Sequence, residues 1–187
     1  MKLEKYSEKF EDILISQGVN FRDNRGVFKK TIFGDELVDL MGSVHELITV
    51  KSVKNVIRGL HFQSPPFPVA KFITCIHGEI QDVFVDIRKN SKNYGEHGTF
   101  NLSEKDSFGV FIPTGYAHGY SVLSDSAIVA YLQSDNYFNE LDQSINPLSL
   151  NINWNVKNPI ISKKDSKANY FNHFISPFNW NNLKIQK

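Results

Sequence analysis

From about Val44 onward, apolar and polar positions follow one another in short runs rich in Val, Ile, Phe, Tyr and Thr, each closed by Gly, Pro, Asn, Asp or Ser. β-Branched and aromatic residues suit a pleated strand, and the closing residues suit turns. The runs predict strands at Leu47 to Val53, Val69 to His77, Glu79 to Ile87, His97 to Leu102, Ser107 to Pro113, His118 to Leu123 and Ala127 to Gln133. No helical period intervenes, so many short strands at close spacing predict an all-β sandwich or barrel. The sequence His77-Gly78-Glu79 predicts a tight turn between two antiparallel neighbours.

Successive side chains of a strand point to opposite faces. Val83, Val85 and Ile87 therefore share one face, and Asp82, Phe84 and Asp86 the other. Likewise Tyr131 and Gln133 oppose Ala130 and Leu132. A face that mixes carboxylates, aromatics and a tyrosine fits a barrel mouth lined for a polar ligand; the plainer alternative is a face that meets solvent. Met1 to Phe33 read as an irregular arm with edge strands, and Asp35 to Met41 as a short helix. The tail from Ser166 to Lys187 has no clean period, and its packing partner is open, a neighbouring subunit being one candidate. With no repeat or linker, residues 1–187 read as one domain.

Composition narrows the partners. Lys and Arg number 21 against 20 Asp and Glu, a formal charge of +1, and the lysines are scattered. That pattern argues against a nucleic acid or an anionic membrane, so an anionic ligand must be met by a few placed cations. Apolar runs such as Phe72 to Ile76 are too short to span a bilayer, and Met1 to Gln17 is charged throughout, which leads to the expectation of a cytoplasmic protein. The single cysteine, Cys75, has apolar flanks that suggest an inert thiol packed in a strand.

Seven polar residues stand in or beside these strands or just past the last of them: Arg58, His61, Lys71, Asp82, His118, Tyr131 and Asp165. A lone histidine is more often packed than reactive, but the set offers a base, an acid, two cations and two carboxylates. A metal would need more. The stretch His61-Phe62-Gln63 lacks the His-x-His pair of metal-binding cupins, and only Ala117 and Gly119 flank His118. Neither a metal nor a dinucleotide is expected, since no glycine-rich strand-to-helix turn occurs either.

These residues carry a resemblance. Arg58-Gly59-Leu60-His61-Phe62-Gln63, Ala70-Lys71, Gly78-Glu79, Asp82-Val83-Phe84-Val85-Asp86-Ile87-Arg88, Ile112-Pro113, Ala117-His118-Gly119, Val122-Leu123-Ser124-Asp125, Tyr131, Ile152-Asn153-Trp154 and Ser162 to Asp165 resemble the dTDP-4-dehydrorhamnose 3,5-epimerase family, in one order from about Phe21 to Asp165. The resemblance implies a cupin jelly-roll β-barrel with short peripheral helices and an N-terminal arm. It also implies a homodimer with exchanged arms, no cofactor, and a nucleotide-linked 4-keto sugar as substrate. By the same resemblance His61 is the base, Asp165 its carboxylate partner, Tyr131 the acid on the opposite face of the sugar and Lys71 the cation at the keto oxygen. His118 and Asp82 form a second pair, and Arg58 contacts phosphate. Gln63 and Glu46 join as substrate contacts, and Arg25 and Phe28, in Arg25-Gly26-Val27-Phe28, belong to an arm that reaches the partner subunit's nucleotide.

The chemistry is consistent with those roles. A 4-keto group acidifies the hydrogens on C3 and C5, because loss of either leaves an enolate with its charge on the ketone oxygen. A cation there stabilises the charge as it develops, and an imidazole suits proton abstraction at neutral pH. The chain also departs from the family pattern. Lys30 stands in place of a usual Glu, Glu46-Leu47-Ile48 in place of Gln-x-Asn, Leu132 in place of Lys, and Asn136-Tyr137 in place of a tyrosine pair. Such changes alter contacts to a ligand, so the reaction class follows more firmly than the base or sugar, or whether C3, C5 or both invert. The competing readings are a C3-only epimerase of a GDP-, CDP- or UDP-linked sugar, a non-catalytic sugar-nucleotide binding barrel, and a metal-dependent cupin.

Overall fold

The computed structural model describes residues 2–32 and 34–180; Met1, Phe33 and 181–187, which include the two ends of the arm reading and the end of the tail, lie outside the described residues. Thirteen strands run in chain order as β1 (Lys2–Lys5), β2 (Leu14–Gln17), β3 (Val19–Asp23), β4 (Gly26–Lys30), β5 (Glu46–Val53), β6 (Ile57–Gln63), β7 (Lys71–His77), β8 (Glu79–Asp86), β9 (His97–Ser103), β10 (Phe108–Ile112), β11 (Tyr116–Val122), β12 (Ser126–Gln133) and β13 (Asp142–Ser144). Two short helices, α1 (Gly34–Met41) and α2 (Lys163–Ser166), stand outside the sheets. The first covers the helix read at Asp35 to Met41.

A six-stranded sheet has the order β1-β2-β10-β7-β12-β5, a five-stranded sheet the order β13-β6-β11-β8-β9, and β3 and β4 form a separate hairpin. Every strand pairing is antiparallel. The two large sheets make the jelly-roll barrel, with Ile73, Ile80, Phe84, Val110, Tyr120 and Val129 buried in its interior. The shared face of Asp82 and Phe84 holds as read, and the structure shows it to be the inner one.

Val83, Val85 and Ile87 point outward, yet they too are fully buried. The chain's own later residues Ile145, Ile152, Trp154 and Phe178 cover them in a second core. This settles the tail as far as residue 180. Phe171 and Phe174 pack on that core, Ser176 Oγ donates to the Ile87 carbonyl, and Lys89 N donates to the Phe178 carbonyl at 3.0 Å. A long aromatic segment with no period is what a cover strapped over an apolar sheet requires, since it buries area without adopting a helix or strand.

One expectation is corrected. The turn at Gly78 does not join two paired neighbours: β7 lies in the six-stranded sheet and β8 in the five-stranded sheet. The chain instead crosses between sheets at one end of the barrel. Gly78 has φ 76°, and a Cβ there would come within 2.1 Å of the Ser126 carbonyl oxygen, so only glycine fits the crossing. The strand β6 was not among the runs read from the pattern, because Arg58-Gly59 interrupts its apolar alternation. The Met1 to Phe33 arm is more regular than read, holding β1 to β4.

Candidate active site

Strands β6, β7, β11 and β12 turn polar side chains into a cleft of about 200 Å³ at the barrel mouth, lined by Arg58, His61, Gln63, Lys71, His118 and Tyr131, with Ile48 and Val50 of β5 as its apolar wall. The alternative of a solvent-facing mixed surface fails, because Asp82 and His118 on that face are 1% and 4% exposed. Antiparallel pairing of β6 with β11 places His61 directly opposite His118. The register slips between His118 and Tyr120, where Gly59 on the facing strand has φ 127° and a Cβ would come within 2.6 Å of Gly119 Cα. Gly59→Ala is accordingly expected to cost ~1–3 kcal/mol and to lower activity more than a distant substitution of equal cost, because Arg58 and His61 flank the slip. Thermal melting and turnover measured together check it.

Each histidine is held by a carboxylate. His61 Nε2 lies 2.6 Å from Asp165 Oδ1. Asp165 comes from α2, whose first turn is capped by Ser162 Oγ accepting from Asp165 N at 3.0 Å. Burial works against the Asp165 charge, but the His61 bond, with help from Ser162 and the Gly59 amide, outweighs it and holds the carboxyl below the usual range. An ionised Asp165 needs a donor, so the His61 hydrogen is assigned to Nε2, leaving Nδ1 as the basic nitrogen. The second pair, His118 Nε2 with Asp82 Oδ2 at 2.8 Å, is buried. Asp82 Oδ1 has no hydrogen-bond partner among the described residues.

The rings of Tyr131 and His118 stand nearly perpendicular, centroids 5.8 Å apart at 77°. Burial pushes its hydroxyl well above the ordinary value, and Tyr120 and Asp82 add to that. Burial lowers Lys71, against the attraction of Asp142 and Asp82. Arg58 donates from Nε to Ser52 Oγ at 2.9 Å. The cleft thus combines a carboxylate-backed imidazole, a half-buried phenol and two cations, which is equipment for moving protons beside a developing negative charge.

Other expected residues lie differently. Gln63 lines the cleft, but its amide holds loop backbone, donating to the Phe67 and Asn136 carbonyls and accepting from Phe138 N. Glu46 sits at the rim and accepts from Tyr137 N at 3.1 Å. Arg25 and Phe28 are on the β3–β4 hairpin, lining a separate shallow concavity with Phe21 and Val27. Ser52, Tyr120 and Asp142 were not among the expected residues; parity along β5 with Ile48 and Val50 was the one signal that Ser52 faces inward. Of the departures, Ile48 and Tyr137 border the cleft, while Leu132 and Lys30 lie on the outer side of the six-stranded sheet. Among the described residues no three His, Cys, Asp or Glu side chains gather as metal ligands. Cys75 is pushed up to about 12 by burial and donates to the His77 carbonyl at 3.1 Å.

Residues 7–173 match the family model described as dTDP-4-dehydrorhamnose 3,5-epimerase. A dTDP-4-dehydrorhamnose 3,5-epimerase of Shigella flexneri is 37% identical over 165 residues, 86% of this chain and 91% of the relative. A dTDP-4-dehydrorhamnose 3-epimerase of Streptomyces niveus is 33% identical over 151 residues, 78% and 73% of the two chains. The crystal structure of a dTDP-6-deoxy-D-glucose-3,5-epimerase of Legionella pneumophila in complex with dTDP-4-keto-L-rhamnose superposes with a TM-score of 0.85 at 30% identity, covering 93% of this chain and 94% of that one. The chain belongs to the dTDP-4-dehydrorhamnose 3,5-epimerase family of isomerases.

Proposed function

We propose that the protein epimerises a dTDP-linked 4-keto-6-deoxy sugar at C3, C5 or both, in deoxysugar biosynthesis, by removing a proton from one face of the ring and returning one to the other. The observation that carries this reading is the single cleft in which His61, backed by Asp165, shares the walls with Lys71 and Tyr131. His61 Nδ1 takes the proton from carbon. The electron pair of that C–H bond becomes the enolate, and Lys71 meets the charge on its oxygen. Tyr131 then gives its proton to the opposite face, restoring the ketone with inverted carbon. Asp165 stabilises the imidazolium while it exists. Arg58 faces the diphosphate, and the His118–Asp82 pair holds the wall against which Tyr131 stands.

The test is proton NMR of thymidine- and guanosine-linked 4-keto-6-deoxyhexoses incubated with the protein in deuterated water. Deuterium entering C3 and C5 of the thymidine form with inversion is the expected result; entry at C3 alone would make it a 3-epimerase, as the Streptomyces niveus relative is named. No exchange in either nucleotide form would overturn the reading.

The active unit in this reading is a homodimer. Phe21 and Phe28 on the β3–β4 hairpin are 62% and 61% exposed, and Val19 and Val27 beside them are exposed too. An apolar, protruding hairpin of this kind suits an arm laid on a second copy. Arg25 and Phe28 would then complete the partner's nucleotide site. Replacing Phe21 and Phe28 together with Ser is expected to yield monomers by sedimentation, with activity down roughly tenfold or more; a fully active monomer would remove the arm from the site. The reading takes the chain as one domain, supported by its C-terminal segment closing over its own sheet, and as cytoplasmic, supported by its single unpaired cysteine.

A further inference from the structure

The carboxylate that backs His61 stands on an element too small to hold itself. Helix α2 is four residues long, and a first helical turn fixes several backbone dihedrals for one hydrogen bond. Ser162 caps its start. At its end, the Ser166 carbonyl has no residue of so short a helix to accept from. Asp165 is nevertheless 4% exposed and keeps Oδ1 2.6 Å from His61 Nε2, so something outside α2 fixes the turn.

Asn146 does so. Its Nδ2 donates to the Ser166 carbonyl at 3.0 Å, and its backbone N–H donates to the Asn169 carbonyl at 2.9 Å. Asn146 is itself held. Its Oδ1 accepts from Leu148 N at 3.0 Å, closing a turn on the backbone two residues on. Just before it, Ile145 exchanges both backbone hydrogen bonds with Leu60, at 2.9 and 3.1 Å, and Ser144 stands opposite His61 in the pairing of β13 with β6. Leu148 N only donates and the Ser166 carbonyl only accepts, which fixes the amide in one orientation. Ser144-Ile145-Asn146 therefore grips β6 at the histidine and α2 at the carboxylate. A second tie, Lys164 to Asp142, has its lysine half-exposed, and such a pair holds weakly.

We propose that Asn146, 5% exposed and outside the cleft lining, is a positioning residue for the base, holding Asp165 where it sets the His61 tautomer. The proposal rests on His61 being the base and Asp165 its partner. A carboxylate shifted by about 1 Å loses the short bond to Nε2 and leaves the imidazole free to carry its hydrogen on Nδ1, the atom that must take the proton from carbon. Asn146 exchanges no proton and acts only through the pair.

The experiment compares Asn146→Ser and Asn146→Ala with wild type on the thymidine-linked 4-keto sugar. Serine closes the same turn to the amide two residues on, but its side chain ends one bond, ~1.3 Å, short of the Nδ2 position, so it keeps the turn and loses α2. Alanine loses both. In each variant kcat is expected to fall about tenfold or more with KM within a few fold, and nitrogen NMR of the His61 ring is expected to change from one tautomer to a mixture. On an Asp165→Asn background Asn146→Ser should cost almost nothing further, because the carboxylate it positions is already gone. Wild-type kcat in Asn146→Ser, with activity lost only in Asn146→Ala, would assign the residue to its turn and overturn the proposal, as would losses that multiply on the Asp165→Asn background. If Asn146→Ala does not fold, Asn146→Ser decides alone. Wild-type turnover in His61→Asn or Asp165→Asn would instead overturn the base assignment beneath it.

Discussion

Replacing His61 with Asn is expected to lower epimerisation by about 10³-fold or more while leaving nucleotide-sugar affinity within a few fold. Asn keeps a polar side chain in the pocket wall but is too short to span the contact that Nε2 makes with Asp165, so the basic nitrogen and its tie to the carboxylate are lost together. Asp165→Asn tests the same pair from behind. An amide at that position can donate to Nε2 and so transfer the imidazole hydrogen to Nδ1, the atom that must accept the proton. Its loss should therefore approach that of His61→Asn, although the residue never touches substrate; tautomer inversion of this kind has large effects in other histidine–carboxylate pairs. Because the two residues act as one unit, the double variant should be little worse than either single one. The measurement is deuterium wash-in at C3 with binding followed by calorimetry. Wild-type wash-in by His61→Asn would remove it from the base role, and additive losses would separate Asp165 from it.

What the sequence made legible was set by the range over which its patterns act. Period-two alternation is local, so it put Asp82 with Phe84 on one face and Tyr131 with Gln133 on one face before any sheet was known, and the sheets then show which face is the inner one. Strand pairing is not local. The turn at Gly78 looks like a hairpin over three residues, and only the competing partners of β7 and β8 in different sheets reveal a crossing. The same limit hid the Ser52–Tyr120 contact, which joins side chains 68 positions apart from opposite sheets. It hid the role of the tail as well, since Phe174 and Phe178 acquire meaning only with the ring of Phe62 that they meet edge-on. Gln63 and Glu46 show a further case: residue type suggested ligand contacts, while their hydrogen bonds go to the loop at 136–138 that borders the cleft. Arg25 and Phe28 stand apart from their own chain's cleft, on the β3–β4 hairpin, and would reach a site only in the proposed dimer.

Lys71→Met should separate function from stability. The substitution keeps most of the side chain's volume and removes its charge, so the enolate loses its nearest cation and turnover is expected to fall ~10²–10³-fold, the usual consequence of losing one oxyanion partner. Stability should move the other way. Burial lowers Lys71 below its ordinary 10.5, and does so despite the attraction of Asp142 and Asp82. The cost of holding the ammonium in the cleft therefore exceeds what the two carboxylates return. In the window between the lowered folded value and 10.5, the unfolded chain binds more protons than the folded one, so stability rises with pH there. Below the folded value the cost is present in full. Lys71→Met is thus expected to melt higher at neutral pH and to flatten that rise, while the alkaline fall in wild-type turnover, where the ammonium is lost, should begin below 10.5 and vanish in the variant's residual activity. A lower melting temperature would mean that Asp82, whose Oδ1 has no hydrogen-bond partner among the described residues, depends on Lys71 more than burial penalises it. The lysine would then be an ion-pair partner first and an enolate stabiliser second.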